Sequence, residues 1–227
     1  MRAIGILLSV LFGAAIWADS LDIKIGAAGL RQKVKVSDFT TYEEKTEWKT
    51  GFDGALSYNL MVDKLLAVAP ELGLARFSHS GSAPMQGYEI KYEIVTYLIP
   101  ILINARLFLP MGELGMGEKP PFQPYVTVGI GYTVGEVQRE TTQTSTIPGS
   151  SGTTTTKQKY GLNGLSYQAV VGTSITLDPT SAVEVLLEGG YRGANLKPDI
   201  QGEKAADYPG WLARIGIRYS FGLASSY

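Results

Sequence analysis

Cysteine is absent from the chain, and histidine occurs once, as His79. Without cysteine the chain can form neither a disulfide framework nor a thiolate metal site. A single histidine with no cysteine makes a poor transition-metal site, so we expect no metal and no cofactor. Positive charge is not in excess either, because 20 basic residues stand against 21 acidic ones. This balance gives no reason to expect a nucleic-acid partner.

Long apolar runs are also scarce, and the one at the start of the chain has the features of an export signal. Arg2 supplies a positive charge, and residues 3–16 form an apolar run of signal-peptide length. We therefore predict a signal peptide over residues 1–18, cleaved after Ala18, and a mature domain over residues 19–227. A membrane anchor is the alternative, but the run is shorter than the ~20 residues that a spanning helix needs. Because no later run is long enough, membrane insertion would have to use strands.

Residues 125–135 show what kind of strand the chain forms, because their side chains alternate between two types. One face is bulky and apolar, and it consists of Val126, Val128, Ile130, Tyr132 and Val134. The other is mostly small and polar, and it consists of Tyr125, Thr127, Gly129, Gly131, Thr133 and Gly135. A period of two indicates a strand with unlike faces. We expect no inner side chain large enough to fill a dry core, which is typical of a barrel in lipid.

Two segments of this region form a distinctive pair. Residues 97–102 have the sequence Tyr-Leu-Ile-Pro-Ile-Leu, and residues 124–132 begin with Pro-Tyr and contain paired glycines. Together they resemble the central hairpin of small outer-membrane β-barrels of the OmpA, OmpX and opacity-protein type. The resemblance implies a barrel in the outer membrane of a Gram-negative bacterium, in contact with outer-membrane lipids. It also implies surface loops that contact host or other extracellular macromolecules.

Similar alternating segments continue along the chain and predict an all-β fold, an eight-stranded antiparallel up-and-down transmembrane β-barrel. The predicted strands cover residues 21–28, 47–60, 66–75, 88–109, 125–137, 165–175, 183–192 and 211–221. The long polar connections, interpreted as loops, cover residues 31–46, 76–87, 140–156 and 195–209. Short turns are predicted at 59–64 and 178–181, and a longer turn at 110–123 has no explanation in this architecture. An even number of strands places both termini of the chain in the periplasm and the long loops outside. We expect a monomer.

The fourth predicted strand changes phase along its length. Tyr92 and Ile94 indicate that even positions point outward at its start, whereas Asn104 and Arg106 indicate that even positions point inward at its end. One extra residue in a strand moves every later side chain to the other face. We therefore predict a β-bulge within residues 96–100, where a proline is tolerated.

Charged residues recur on the predicted inner faces, where an eight-stranded barrel has room only for its own side chains. We align the last two strands so that Tyr191 faces Trp211, which gives two inward ion pairs, Glu188 with Arg214 and Glu184 with Arg218. The full predicted lumen charge network is Lys24, Lys49, Asp53, Glu184, Glu188, Arg214 and Arg218. We predict that these charges plug the lumen, with a wet channel as the alternative.

Aromatic residues on the outward faces are predicted to lie near strand ends, at the two lipid–water interfaces. The residues assigned to these girdles are Trp48, Tyr58, Tyr132, Tyr191, Trp211 and Tyr219, and Tyr92 is placed with them.

Two motifs could carry catalysis or nucleotide binding, and we give both a structural interpretation. Gly129, Gly131 and Gly135 have the spacing G-x-G-x-x-x-G, but no helix pattern follows, so we interpret them as space-making residues inside a narrow lumen. His79 lies between two serines, and the resemblance includes barrels that deacylate lipid A. Adjacent residues of a strand point to opposite faces, however, which argues against a nucleophile and base pair. We interpret His79 as a solvated loop residue and expect no enzyme.

The leading hypothesis is therefore an outer-membrane barrel with a structural or surface-interaction role through four extracellular loops. The alternatives are a narrow channel for small solutes and a lipid-modifying enzyme, the latter resting only on Ser78 and His79. A soluble lipocalin-like barrel is the structural rival, but it would need an apolar interior and a polar exterior.

Overall fold

The computed structural model describes residues 19–38, 41–85, 87–111, 121–147, 152–178, 180–199 and 206–221. The predicted signal peptide and most of the predicted turn at 110–123 lie outside these residues. The chain forms eight strands: β1 (Ser20–Asp38), β2 (Thr41–Asp63), β3 (Leu66–Met85), β4 (Tyr88–Phe108), β5 (Phe122–Ser145), β6 (Thr153–Thr176), β7 (Val183–Pro198) and β8 (Ala206–Ser220). No helix long and apolar enough to cross a membrane occurs in the described part of the chain.

Each strand pairs antiparallel with the next, and β8 pairs with β1, which closes the barrel. The strands are staggered relative to one another. A path that starts at Met61 and steps from each residue to its ladder partner on the next strand returns to β2 at Gly51, ten residues from where it began. The path runs through Ala67, Arg106, Thr127, Val170, Gly190, Leu212 and Ala28. Closed barrels of this kind have strands tilted by about 35–45° from the axis. The closed ring confirms the predicted eight-stranded up-and-down architecture.

The barrel has two ends that differ in strand length. The near end carries the start of β1, the end of β8 and the connections that follow β2, β4 and β6. The far end carries the connections that follow β1, β3, β5 and β7. Strands β5 and β6 have 24 residues each, whereas β7 has 16 and β8 has 15. The wall therefore rises unevenly at the far end.

Around the near part of the barrel, large apolar side chains point outward and polar ones point inward, as the alternation predicts. Outward residues with at least half of their surface exposed include Ile23, Ile25, Val128, Ile130, Leu165, Val171, Ile215 and Ile217. On β8 this belt lies between Trp211 and Tyr219, and on β2 between Trp48 and Tyr58. At ~3.3 Å per residue and a tilt of about 40°, the belt is roughly 20–25 Å tall.

All four predicted loops are wrong in extent, because strands continue into each of them. Thus β1 and β2 occupy most of residues 31–46, and β3 runs through Met85. The Thr-rich segment at 140–156 is largely a ladder, in which the Thr142 and Thr155 hydroxyl oxygens lie 3.3 Å apart. Backbone pairing does not require an apolar face, so these segments form strands although their side chains give no apolar period of two.

The predicted bulge in β4 is also wrong. Its pairing with β5 runs from Tyr88 to Phe108 without a register shift, and even positions point inward throughout. Ile94 and Leu98 are inward because the interior becomes apolar toward the far end, where they pack together in one cluster. The change from a polar to an apolar interior along β4 therefore gave the same sequence alternation that a β-bulge would give. For the same reason Tyr92 is not an outward girdle residue but lies beside the His79 ring.

The connection between β6 and β7 is tight, as predicted. The backbone carbonyl of Asp178 accepts a hydrogen bond from the Ser181 N–H at 2.9 Å. The Asp178 carboxylate accepts hydrogen bonds from the backbone N–H and the hydroxyl of Thr180, at 2.9 and 2.8 Å. These hydrogen bonds hold the pKa of the Asp178 carboxyl below its ordinary value.

Candidate functional site in the lumen

Ten charged side chains from six strands meet inside the near part of the barrel, and we call them the lumen network. They are Asp22, Lys24, Asp53, Glu71, Arg106, Glu184, Glu188, Arg192, Arg214 and Arg218. Five are acidic and five are basic, so their formal charges cancel. A neutral set of this kind can be buried without a counterion, which an unbalanced set could not be.

The centre of the lumen network is formed by carboxylates that each contact several cations. Glu71 accepts from Lys24 Nζ at 2.8 Å, from Arg192 Nη2 at 3.1 Å and from Arg214 Nη1 at 3.2 Å. Asp53 accepts from Arg192 Nη1 at 2.7 Å and from Arg214 Nε. Glu71 on β3 and Arg192 on β7 lie on opposite sides of the ring, and each of the other pairs spans at least one intervening strand. The contacts therefore cross the lumen and do not merely follow its wall.

The near end of the network is organised around Arg106, which is fully buried. Its Nη1 donates to Asp22 at 2.6 Å, its Nη2 donates to Glu188 at 3.4 Å, and its Cζ lies 4.5 Å from the centroid of the Tyr125 ring. The Tyr125 hydroxyl in turn donates to Glu188 at 3.0 Å. Arg218 completes the group by donating to Asp22 from Nε at 2.8 Å.

Tyr125 was not expected to matter, because its neighbours on the inner face are small. It is 1% exposed and is one of the largest fully buried side chains, so the interior is filled and the expectation of no large inner residue is wrong. Its ring fits because Gly172 lies directly opposite it, where an added Cβ would be 2.6 Å from a ring atom. In the same way, the Asn104 carboxamide occupies the space beside Gly129. Gly172 and Gly129 therefore make room for neighbouring side chains, as predicted for Gly129, whereas the predicted space beside Gly131 is taken by the backbone of the adjacent strand β4.

The lumen network is nearly complete in its hydrogen bonding. Among the described residues, the buried side-chain atoms without a hydrogen-bond partner are Ser57 Oγ, Ser166 Oγ, Glu188 Oε2 and Arg214 Nη2. Glu188 Oε2 still lies 3.7 Å from Arg214 Nη1, within ion-pair distance. No three His, Cys, Asp or Glu side chains of the described ranges are grouped so that they could hold a metal ion. These ion pairs and hydrogen bonds suit a structural role, in which they link the walls of the barrel across the lumen.

Beyond the lumen network, toward the far end, the interior is filled by apolar side chains that we call the apolar cluster. Its buried members are Ala28, Leu30, Ala75, Phe77, Leu98, Val137, Leu162, Val170, Ala194, Leu196 and Leu212. A cavity of about 40 Å³ lies between the two layers, with Asp53 and Arg192 on one side and Leu30, Phe77 and Leu98 on the other. The lumen is thus closed by two layers of different chemistry.

The structure brings six of the seven predicted lumen residues together in the lumen network. The last hairpin has the predicted register, with Tyr191 opposite Trp211, Glu188 opposite Arg214 and Glu184 opposite Arg218. The corresponding carboxylate-to-guanidinium distances are 3.7 Å for Glu188–Arg214 and 3.5 Å for Glu184–Arg218. The seventh, Lys49, is buried nearer the far end and pairs across the ladder with Leu30 of the apolar cluster.

Four members of the lumen network were not singled out from the sequence: Asp22, Glu71, Arg106 and Arg192. All four share the inward phase of their strands, and that phase is the signal that could have identified them. Which charges would meet across the lumen depends on the stagger of the ring, which the local pattern does not give.

The predicted girdle residues all lie on outward faces, but not all lie near strand ends. Trp48, Tyr132, Tyr191, Trp211 and Tyr219 are exposed, and Tyr58 is partly exposed. Tyr132 lies in the middle of β5, because that strand continues past the apolar belt.

His79 lies on β3 and not in a loop, so its interpretation as a loop residue is wrong. It is partly buried, and its Nε2 lies 3.4 Å from the Tyr92 hydroxyl. Ser78 and Ser80 are exposed on the opposite face of the strand.

No protein-family model matches the chain, and no curated protein matches it either. Among solved structures it is similar to Neisserial surface protein A, at 13% sequence identity and a TM-score of 0.43, over 88% of this chain and 97% of that one. It is also similar to Ail, the attachment invasion locus protein of Yersinia pestis, solved with the heparin analogue sucrose octasulfate, at 13% identity and a TM-score of 0.45, over 88% and 98%. A third is the outer membrane protein OprG from Pseudomonas aeruginosa, at 16% identity and a TM-score of 0.42, over 90% and 96%. The fold of this chain is established by its own strand ladders.

Proposed function

We propose that the chain is a sealed outer-membrane β-barrel of a Gram-negative bacterium, with a structural or surface-interaction role performed at its far end. The observation that carries the proposal is the inverted distribution of side chains in the near part. Charged residues such as Arg106 and Lys24 are buried there, while Ile23 and Ile130 are more than half exposed. In water this arrangement would expose a continuous apolar belt, whereas in a bilayer it meets hydrocarbon.

The height of the belt supports insertion into a membrane. The roughly 20–25 Å between the aromatic residues at its two margins is close to the ~25 Å apolar band of outer-membrane barrels. Beyond the belt, the outward face of β5 becomes polar with Glu136, Gln138 and Glu140. The far parts of the strands would therefore stand in water and be reachable by macromolecules outside the cell.

The double closure of the lumen favours a structural role over a channel. An ion would have to separate the crossed ion pairs of the lumen network and then enter the apolar cluster, where it would lose its hydration. The opposite orientation of Ser78 and His79 on β3 likewise supports a protein that is not an enzyme. We propose that it acts as a monomer, surrounded by outer-membrane lipids and without a nucleic-acid partner.

Membrane insertion is tested by placing a charge in the belt. Ile215→Arg puts a guanidinium on the lipid face and should lower the free energy of unfolding by ~2–4 kcal/mol near the bilayer midplane. The matched control is Thr155→Arg, which adds the same side chain to an exposed outward position beyond the belt and should be nearly neutral. Equal effects of the two variants, or recovery of the folded chain from the soluble periplasm, would overturn the proposal.

The seal is tested by conductance. The folded barrel in planar lipid bilayers should show no stable single-channel current. Steady, reproducible channel openings from the unaltered protein would instead favour the narrow-channel alternative.

A further inference from the structure

The seam between β2 and β3 is one of the places beyond the belt where the barrel wall is open. β2 begins at Thr41 and β3 ends at Met85, yet the ladder that joins them stops at Gly51 and Phe77. On its other side β3 remains paired with β4 as far as Met85, opposite Tyr88. Within the described ranges, residues 78–85 of β3 therefore have a strand partner on one side only.

The backbone groups that face this seam can be assigned from the ladder. The Phe108 N–H donates to the Leu65 carbonyl, so odd-numbered residues of β3 are hydrogen-bonded toward β4. Peptide groups alternate in direction along an antiparallel strand, so even-numbered residues face β2. At the seam these are Ser78, Ser80 and Ser82, whose N–H and C=O groups together make six hydrogen-bonding groups.

Protection against edge pairing is confined to the tip of this edge. Natural edge strands are usually blocked by lysine, proline, a bulge or an inward charge. Residues 78–82 carry none of these, and the outward side chains of Ser78, Ser80 and Ser82 are small and exposed. Pro84 is the next residue that faces the seam, and it has no N–H to donate. The edge is thus available over five residues and blocked beyond them.

We propose that this edge binds an extended segment of a separate protein, which adds a strand to β3 in the seam. The inference deepens the proposed function and rests on it, because the edge must stand outside the membrane to be reached. Strand addition supplies affinity through backbone hydrogen bonds and specificity through alternate side chains. On the inner side the segment would lie beside His79 and Gly81, with the Tyr92 ring packed over Gly81. On its outer side it would lie beside the small, exposed side chains of Ser78, Ser80 and Ser82. The fitting partner therefore alternates apolar and polar residues.

A second copy of the chain in the same membrane does not fit this edge. Two such copies related by an axis along the membrane normal have equivalent strands that cross at twice the tilt. With a tilt of about 40° that angle is about 80°, which prevents a ladder between them. This geometry leaves an extended segment of another polypeptide as the occupant.

The experiment uses the folded barrel in lipid nanodiscs and a phage-displayed library of dodecapeptides as the probe. Selected peptides should alternate apolar and polar residues and should bind Ser80→Ala as they bind the unaltered barrel. Ser80→Pro removes the central N–H of the edge and should weaken binding about tenfold or more, as expected for one lost backbone hydrogen bond. In the unaltered barrel, bound peptide should slow amide exchange of Ser78, Ser80 and Ser82 about tenfold.

The exchange measurement keeps the test decisive even if Ser80→Pro fails to fold, which unheated gel mobility would detect. Failure to select a peptide that protects these three amides would overturn the inference. Binding that is insensitive to Ser80→Pro, or a barrel dimer that forms through this edge, would also overturn it. These results are separable from the proposed function, because a barrel that stays in the membrane and stays sealed but protects no amide contradicts only the inference.

Discussion

The near and far parts of the barrel are built by the same strands with opposite polarity. On β5, Thr127 is buried and Val128 exposed in the near part, whereas Val137 is buried and Gln138 exposed in the far part. On β6, the near part buries Gln168, and the far part buries Leu162. The near part has the side-chain distribution of a protein in lipid, and the far part that of a soluble sheet. The change occurs within continuous strands, so it is the surrounding medium and not the backbone that decides which residue type each face carries.

The comparison also separates two ways of filling a narrow interior. The lumen network depends on charge balance and on contacts between distant strands, whereas the apolar cluster depends on volume and shape. The first should therefore respond strongly to loss of a single charge, and the second to loss of a methyl group.

The strongest test of this contrast is Arg106→Met. Methionine keeps an unbranched apolar stem but removes the guanidinium, which leaves five carboxylates against four cations in the lumen network. We expect a loss of about 3–5 kcal/mol in the free energy of unfolding, because Asp22 and Glu188 lose a buried partner. Urea unfolding in detergent, followed by the mobility of unheated samples on gels, measures it.

Arg139→Met is the matched control, because Arg139 is exposed in the far part of β5. It should change stability by no more than about 0.5 kcal/mol. A loss below about 1 kcal/mol for Arg106→Met would mean that water replaces the hydrogen bonds that Asp22 and Glu188 lose.

The apolar cluster is tested by Leu196→Ala. Leu196 is 0% exposed, and the truncation leaves a cavity among its neighbours, so we expect a loss of about 2–4 kcal/mol. Leu165→Ala removes the same atoms from the outward face, where lipid can fill the space, and should lose less than about 1 kcal/mol. Equal losses from both leucines, measured by the same unfolding assay, would contradict a close-packed far interior.

Sequence alone predicts the barrel, the strand number, the inward phase of the near part and the register of the last hairpin. It does so because one apolar face against lipid gives a regular period of two, as at Val126 to Val134. The far part escapes prediction for a physical reason. There Ile94 and Leu98 are inward, and the polar residues of 140–156 form strands, so the apolar period is inverted or absent although the ladder continues.

The candidate site is predicted less completely than the fold. Inward phase identifies Lys24 and Asp53 as lumen residues without naming their partners, whereas the register of the last hairpin also pairs Glu188 with Arg214. The Arg192–Asp53 contact joins residues 139 positions apart and depends on the stagger of the whole ring. Tyr125 could be assigned to the inner face, but its fit beside Gly172 depends on the strand register.

Gly172→Ala probes the packing of the near interior with a single methyl group. The added Cβ would lie 2.6–2.8 Å from atoms of the Tyr125 ring, so we expect a loss of about 1–3 kcal/mol from overpacking. Gly189→Ala is the control, because nothing lies within 4 Å of its added Cβ. Unfolding free energies that are unchanged in both variants would show that the Tyr125 ring can move aside.

Glu184→Gln gives the smallest expected effect and marks where the lumen network ends. Glu184 lies at the near mouth, its side chain is 26% exposed, and its contact with Arg218 is 3.5 Å long. Arg218 keeps its hydrogen bonds to Asp22 when Glu184 is replaced. Since solvent screens a pair at this exposure, the loss should be below about 1 kcal/mol and should shrink as salt is raised. Glu188→Gln is the internal comparison, because Glu188 contacts three cations in the interior and should lose clearly more stability, with little dependence on salt. Similar losses and similar salt dependence for the two variants would mean that water reaches the centre of the network, and that the charged layer does not seal the lumen.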